Sequence, residues 1–534
     1  MIRHLIFIGL LFSISHHVGV CQQPDYVLGK VIDSKTSEPV PYATVRLKNY
    51  QVGVISNAEG DFRILNNPRF KSDSIIVSCI GYQRLSVAFS GLKTSGMNNL
   101  KLVPDIYVLN EVRINARKKR RLSPAIIVAR ALRNIKNNNP FSPFSYVSYY
   151  RDYQKDSINY FNLNEAIIQT LDMGFAYPSD SNRYRLLDFK KNIDFTRINI
   201  TPYYDLPETD HSDVSFKRIP HAVVGDQYGN ELFILLVHDA IRNFDKRSFS
   251  FIDTLNQDFI KNHWFSNPSG IHEGNTLLYK IDFIAKRQIT GDNIQMKGSI
   301  FIQPDDYSIH KLEYSGTYLD SDSQKSKKEI FNINIEYGHE QRIDSMMCLK
   351  YISFNNSFTI PDSTDDDYFK ILKLEWQQPG GPYADKNYPP DMNIIAYFNR
   401  KIDPALGGRM GNYDLTIGKR KAKITNIKVG GSLLYLRVRD DSFKPKEVDS
   451  CHLNIKYLTD INGNLLNKRK GLEFRQFREL FVEEYNKPVD FQNNCYIKAM
   501  PLDQNCISHS RNISRFWMNS PLKAEDKQQD SCHN

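Results

Sequence analysis

Apolar and polar side chains alternate in short runs along almost the whole chain, and this alternation limits the fold more than any other feature. Successive side chains of a strand point to opposite faces, so a period of two requires sheets with one buried and one wetter face. Val27 to Ile32, Tyr42 to Leu47, Leu277 to Ile284, Met296 to Ile302 and Ile330 to Tyr337 all read this way. Tyr and Phe suit half-buried strands; they number 30 and 31 against 3 Trp, and they crowd into these runs. With 534 residues, 41% hydrophobic and 24% charged, the chain is long enough for several domains and too well mixed for disorder. The expected class is mainly β and multi-domain.

A single apolar run approaches membrane length, at the N-terminus. Met1 to His4 is basic, Leu5 to Ile14 is apolar, and small residues stand near Gly19 and Cys21, the layout of a secretory signal peptide over 1–21. An apolar core of about ten residues is too short to span a bilayer. Val20 is bulky for a position preceding a lipid-bearing cysteine, so cleavage before Gln22 is expected over lipid attachment at Cys21. Export permits disulfides. Cys495 and Cys506, in a polar tail, are the candidate pair, whereas Cys79 in a strand-like run reads as a buried core residue. No Cys-x-x-Cys occurs, which leaves a redox motif or zinc ribbon unsupported. The net charge of +10 is modest. In an exported chain the basic run 117–121 reads as a solvated linker or a contact for anionic lipid or glycan, so no nucleic acid is expected.

The clearest unit spans 24–103. Strand-like runs are separated by turn formers at Asp33 to Pro39 and Ser56 to Gly60, with no helical period between them, as in a small β-sandwich. Gly29-x-Val31-x-Asp33, Glu38-Pro-Val-Pro-Tyr-Ala-Thr-Val45, Ser56-Asn57-x-Glu59-Gly60-Asp61-Phe62 and Val77-Ser78-x-Ile80-Gly81-Tyr82 together resemble the carboxypeptidase-like regulatory domain. The resemblance implies a transthyretin-like β-sandwich of the kind common at the front of Bacteroidetes envelope proteins. It implies no active site, because in zinc carboxypeptidases this domain is an accessory to the catalytic unit. Phe62 and Val77 would fill its core, and Gly60 suits a turn needing positive φ.

Beyond a basic linker over 104–123, residues 124–376 read as an α+β domain. Ser123-Pro124 starts a helix whose apolar face carries Ile126, Ile127, Ala131, Leu132 and Ile135, and Asn137 to Pro140 ends it. A second helix is expected over 230–243. Tyr-rich strands follow Ser145, and 276–358 forms an antiparallel meander. The order of these elements is similar to an uncharacterised domain that follows the regulatory domain in such envelope proteins, and the meander resembles the curved sheets of lipoprotein carriers. The Pro- and Gly-rich stretch 377–390 marks a boundary. Strands over 390–470, closed by Asp460-Ile-Asn-Gly-Asn464, resemble a bacterial Ig-like β-sandwich. Residues 471–534 read as an aromatic strand or short helix, concerned with packing, followed by a polar tail.

Little in the chain points to chemistry. His310 and Glu313 have the spacing of a zinc-carboxypeptidase pair, but they fall in mid-strand, where an offset of three sends the two side chains to opposite faces. His452, a possible further ligand, falls in the Ig-like unit. His272-Glu273 and His339-Glu340 lack a His-Glu-x-x-His frame, and no nucleophile elbow or phosphate loop is present. Asp365 to Asp367 reads as a solvated turn and lacks the spaced ligands of a calcium loop. No catalytic, metal or cofactor residue is assigned, and the balance is against an enzyme. The expectation is a non-catalytic envelope protein for binding or assembly. It would reside in the periplasm or at the outer membrane or cell surface, with peripheral membrane association and no transmembrane helix after signal cleavage. Its partner would be an envelope protein, a peptide or a glycan, met through exposed aromatics and loop tips. An accessory of TonB-dependent outer-membrane uptake is the first alternative, and a hydrolase, with the zinc carboxypeptidase its weakest form, is the second. A full uptake receptor is excluded, because the residues after Pro104 carry no pattern for a plug and a barrel of about 22 strands.

Overall fold

The computed structural model describes residues 26–50, 53–107, 122–156, 159–197, 231–246, 254–274, 276–319, 326–361, 367–377, 392–417, 420–439, 451–469 and 471–488, with 496, 502, 516 and 519–521. The signal segment with Cys21, the basic run 117–121, Asp365 and Asp366, and the cysteines 495 and 506 lie outside the described residues. The molecule is mainly β and built of several sheets. No helix among the described residues is long and apolar enough to cross a membrane.

Seven short strands make the leading unit: β1 (Tyr26–Asp33), β2 (Thr44–Leu47), β3 (Gly53–Ile55), β4 (Asp61–Leu65), β5 (Ser74–Ser78), β6 (Leu85–Ala88) and β7 (Met97–Leu102). They pair as two sheets, β4-β1-β7 and β3-β2-β5-β6, with β1 and β7 parallel. The alternation works as expected: Val27, Val31, Val45, Phe62, Ile64, Ile75 and Val77 meet in one core between the sheets. Gly60 has φ +75°, and a Cβ there would lie 2.5 Å from the Val31 carbonyl, so the turn admits no larger residue.

The chain then runs through β8 (Ile106–Tyr107), α1 (Pro124–Asn138), β9 (Phe144–Lys155), β10 (Tyr160–Asp172), β11 (Arg183–Lys191), α2 (Glu231–Val237) and α3 (Phe259–Asn262). β12 (His263–Phe265), β13 (Ser269–Glu273), β14 (Thr276–Ala285), β15 (Ile294–Ile302), β16 (Ile309–Leu319), β17 (Ser326–Glu340) and β18 (Met346–Pro361) follow. After these come β19 (Ile371–Gln377), β20 (Met392–Phe398), β21 (Tyr413–Ile417), β22 (Arg420–Gly430), β23 (Leu433–Arg439), β24 (Cys451–Ile455) and β25 (Gly471–Asn486).

A 12-stranded sheet organises the molecule, in the order β11-β10-β9-β25-β18-β17-β16-β15-β14-β13-β8, with β12 also on β14. β14 to β18 are the expected meander. β25 is a strand in the middle of this sheet, paired along its length with β9 on one side and β18 on the other. β19 pairs with β20 and opens the six-stranded sheet β19-β20-β23-β22-β21-β24, whose core gathers Phe369, Ile394, Phe398, Leu415, Leu434 and Leu436.

The helices pack on one face of the long sheet. α1 buries Ile127, Val128, Ala131, Leu132 and Ile135, while Ile126, expected on that face, is 44% exposed. Ser123 precedes α1 without a side-chain cap, and its carbonyl accepts from the amides of Ile126 and Ile127 instead. The second helix is shorter than expected, ending at Val237 rather than 243. The Asp239 carboxylate accepts from the Ile241 and Arg242 amides, a local turn that competes with helix continuation. Arg242 is then drawn into a buried pair with Asp172 at 2.7 Å.

Candidate functional site

The face of the long sheet away from the helices is where the leading sandwich docks. Tyr149 of β9, Tyr351 of β18 and Phe481 of β25 point to it and form a small core there with Tyr42 and Ile55 of the sandwich. The Tyr42 and Tyr351 rings stack at 4.5 Å. Burial pushes the Tyr42 phenol up, so it stays neutral.

Beneath the sandwich lies a buried polar network. Arg151 on β9 is fully buried, and its Nε donates to the Glu479 carboxylate on β25 at 2.5 Å. Burial by itself would lower the Arg151 pKa, but the charge and hydrogen bond of Glu479 together with Tyr149 and Tyr153 outweigh it and the pKa rises, so the guanidinium keeps its charge. The rings of Tyr149, Tyr153 and Phe481 surround that guanidinium. Glu165 on β10 accepts from Tyr149 at 2.6 Å, from Asn192 at 2.7 Å and from Ser520 at 2.7 Å.

Residues 519–520, far down the chain, wedge between sandwich and sheet. Asn519 accepts from the Arg63 amide at 3.1 Å and donates to the Ile55 carbonyl at 3.1 Å, while its own carbonyl accepts from Arg151 at 2.9 Å. Arg63 also donates to Ser520 at 2.9 Å. The sandwich is thereby fixed to the sheet by strand, side-chain and tail contacts together.

Where the sandwich stops, the same face opens into a cleft of about 1530 Å³. Pro41, Tyr42, Ala58 and Glu59 of the sandwich form one wall, and Trp264 of β12 stands at the far side. The floor is the pleated surface of β14 to β18 and β25. Most of its charges are matched locally. Lys311 Nζ lies 2.9 Å from Glu313 and 3.0 Å from Glu336, and Lys328 lies 2.5 Å from Glu473. Arg475 is bonded to Glu329 and Lys155 to Glu59. Ser299 donates to Asp282 at 2.6 Å.

The strand register orders the floor further. Trp264 stands opposite Ile284, which is opposite Lys297; Lys297 is opposite Ser315, Ser315 opposite Asn332, Asn332 opposite Asn355, and Asn355 opposite Phe477. One row therefore crosses seven strands at the strand spacing of about 4.8 Å. No sequence signal marks these residues, because the row follows from pairings between strands distant in the chain.

The histidines singled out by sequence behave differently from expectation. β15 and β16 slip register between Phe301/Lys311 and Ile302/Ile309, making His310 the extra residue of a β-bulge. Ile309 and Leu312 enter the helix-side core, while Lys311 and Glu313 line the cleft and His310 bonds to Glu273 on the cleft side, so His310 and Glu313 share a face. They are still not brought together: His310 Nδ1 lies 2.7 Å from Glu273 and Nε2 lies 3.2 Å from Gln303, while Glu313 holds Lys311. His339 comes beside His310, with ring centroids 5.8 Å apart, and its Nδ1 meets the Ser345 carbonyl at 2.7 Å. His452 sits on β24 in the six-stranded sheet. Asp367 pairs with Arg400 at 2.9 Å. Among the described residues, no group of three or more His, Cys, Asp or Glu is arranged to hold a metal ion. Burial pushes the thiol of Cys79 up to about 12, which keeps it in the unreactive protonated form.

Residues 27–114 match the CarboxypepD_reg-like domain family, in agreement with the sandwich and its four motifs. A membrane-associated protein of unknown function from Bacteroides fragilis, of solved structure, aligns over 86% of this chain and 98% of its own at 6% identity and a TM-score of 0.11. An overlay of that quality bears on neither fold nor function. No curated protein matches the chain.

Proposed function

We propose that the chain is a non-catalytic cell-envelope protein for binding or assembly, and that the cleft is its binding site. The observation that carries the reading is the cleft itself, large, open, and floored by side chains whose charges, Lys297 apart, are matched within the protein. An enzyme site would be expected to hold shifted titratable groups aimed at a reacting centre, whereas the shifted pair of the cleft, Lys311 and Glu336, is bonded to itself. The match at residues 27–114 is compatible with the same reading. The sandwich acts here as a fixed wall that decides what enters.

The test is capture from a solubilised native envelope by the full chain, compared with Asn332→Arg/Asn334→Arg, which fills the floor. Material retained by the unmodified chain and lost from the filled one supports the reading. Equal capture by both sinks it.

A further inference from the structure

We propose that the cleft takes a neutral oligosaccharide chain, laid across the strands along the row from Trp264 to Phe477. The inference rests on the binding reading above and names the ligand class. Size comes first. At about 1530 Å³ the cleft exceeds the roughly 300–1,000 Å³ typical of small-molecule pockets, so it suits several units of a polymer.

Charge is the second consideration. Of the five cations on the walls and floor, Lys155, Lys311, Lys328 and Arg475 are each bonded to a carboxylate, and Lys297 is the exception. A strongly anionic or cationic chain would have to break those pairs, whereas a neutral one leaves them intact.

The third consideration is the closed backbone of the floor. β14 to β18 and β25 are each hydrogen-bonded to neighbours on both sides, so no free edge remains for an extended peptide to join as an added strand. The lining carries apolar residues, Ile284, Phe474 and Phe477 among them, and beside them it offers amide and hydroxyl groups. Asn334 Nδ2 donates to Asn332 Oδ1 at 3.0 Å, which leaves one amide NH2 and one amide oxygen of the pair for a ligand. Asn332 lies in the row with Ser315 and Lys297, so polar groups recur from strand to strand at about 4.8 Å along the floor. Hydroxyls that both donate and accept fit such a surface. At one end Trp264 is 65% exposed, with Lys286 over one face of its ring at 4.5 Å from the centre, and its other face is of the kind on which the C–H face of a pyranose stacks.

The experiment uses the full chain in titration calorimetry against hexasaccharides of β-1,4-glucose, α-1,4-glucose, β-1,4-mannose, β-1,4-xylose and β-1,4-N-acetylglucosamine. Polygalacturonate and a mixed-sequence decapeptide library form two further arms. At least one neutral hexasaccharide is expected to bind, with affinity reduced about tenfold or more by Trp264→Ala and by Asn332→Ala/Asn334→Ala. Unchanged thermal midpoints show that these changes leave the fold intact. Binding by no neutral hexasaccharide overturns the inference, as does binding that survives both variants, or preference for the polyanion or peptides. If none binds and the filled variant still loses its envelope capture, only the ligand class is wrong. If capture is also unaffected, the binding reading falls with it.

Discussion

The two faces of the long sheet solve the same packing problem with different chemistry. On the helix side, Phe331, Ile333, Ile335, Ile352 and Phe354 meet α1, α2 and α3 in one apolar core. On the other side the same strands present Arg151, Glu165, Glu479, Asn332, Asn355 and Lys311, partly roofed by the sandwich and partly open. Apolar packing stabilises without fixing a partner's position, because it is non-directional. An ion pair with hydrogen-bonded neighbours is directional, and it tolerates one placement of the sandwich. The helix face therefore reads as the source of stability, and the opposite face as the source of position.

That contrast is broken most directly by removing charge from beneath the sandwich. Arg151→Met leaves Glu479 buried without its partner and is expected to cost about 3–5 kcal/mol. Arg151→Met/Glu479→Met is expected to recover most of it, because a well-packed apolar pair often replaces a buried ion pair at little loss. On the helix face, Phe331→Ala should cost a similar ~3–5 kcal/mol through the cavity it leaves. Urea midpoints measure all three. A double variant as unstable as the single would show that the ion pair itself supplies stability, and the contrast between the faces would fail.

Acid should act on the helix face. His263 is buried, with Nδ1 2.8 Å from the Phe259 carbonyl and Nε2 2.7 Å from the Tyr314 hydroxyl, and burial pulls its pKa down to about 4. Burial also holds His238 at about 4. A histidine whose folded pKa lies below the unfolded 6.5 adds stability that is complete above 6.5 and is lost as pH falls through about 4. Burial raises Asp239 from 3.8 to about 6, so its contribution runs the other way, present at low pH and lost as pH rises through 6. Burial raises Glu483 likewise, to about 8, so the two acids offset the two histidines and the readable effect is the one a single histidine makes, about 2 kcal/mol between pH 7 and pH 5. Urea unfolding at both pH values measures it, and His263→Gln should fare better at pH 5 relative to pH 7 by that amount against the unmodified chain. An unchanged pH dependence in that variant would mean that His263 is not held neutral.

The sequence is most informative where structure is local. Alternation marked the sandwich strands and β14 to β18, and the Ser123-Pro124 start placed α1. What it could not carry was pairing at long range. Nothing in the period of Leu472 to Tyr485 says that this strand lies between β9 and β18, since Arg151 and Glu479 are separated by 328 residues. The same limit hid the cleft, whose row of residues exists only once the strands are in register. The bulge at His310 shows a subtler limit, because one extra residue reverses a facing argument made from spacing alone.

The smallest test concerns the tail. If the polar face fixes position, the residues wedged there should matter for docking more than for stability. Asn519→Ala keeps the main-chain carbonyl that Arg151 uses and removes the two side-chain bonds to Arg63 and Ile55. Loss of two partly compensated hydrogen bonds should cost about 1–2 kcal/mol. Hydrogen exchange should localise that loss, with faster exchange at the Arg63 amide and little change at Ile333 and Phe354 on the helix face. Uniform loosening of both faces would instead mean that sandwich and sheet unfold as one unit, and that the polar network stabilises the whole molecule as much as it positions the sandwich.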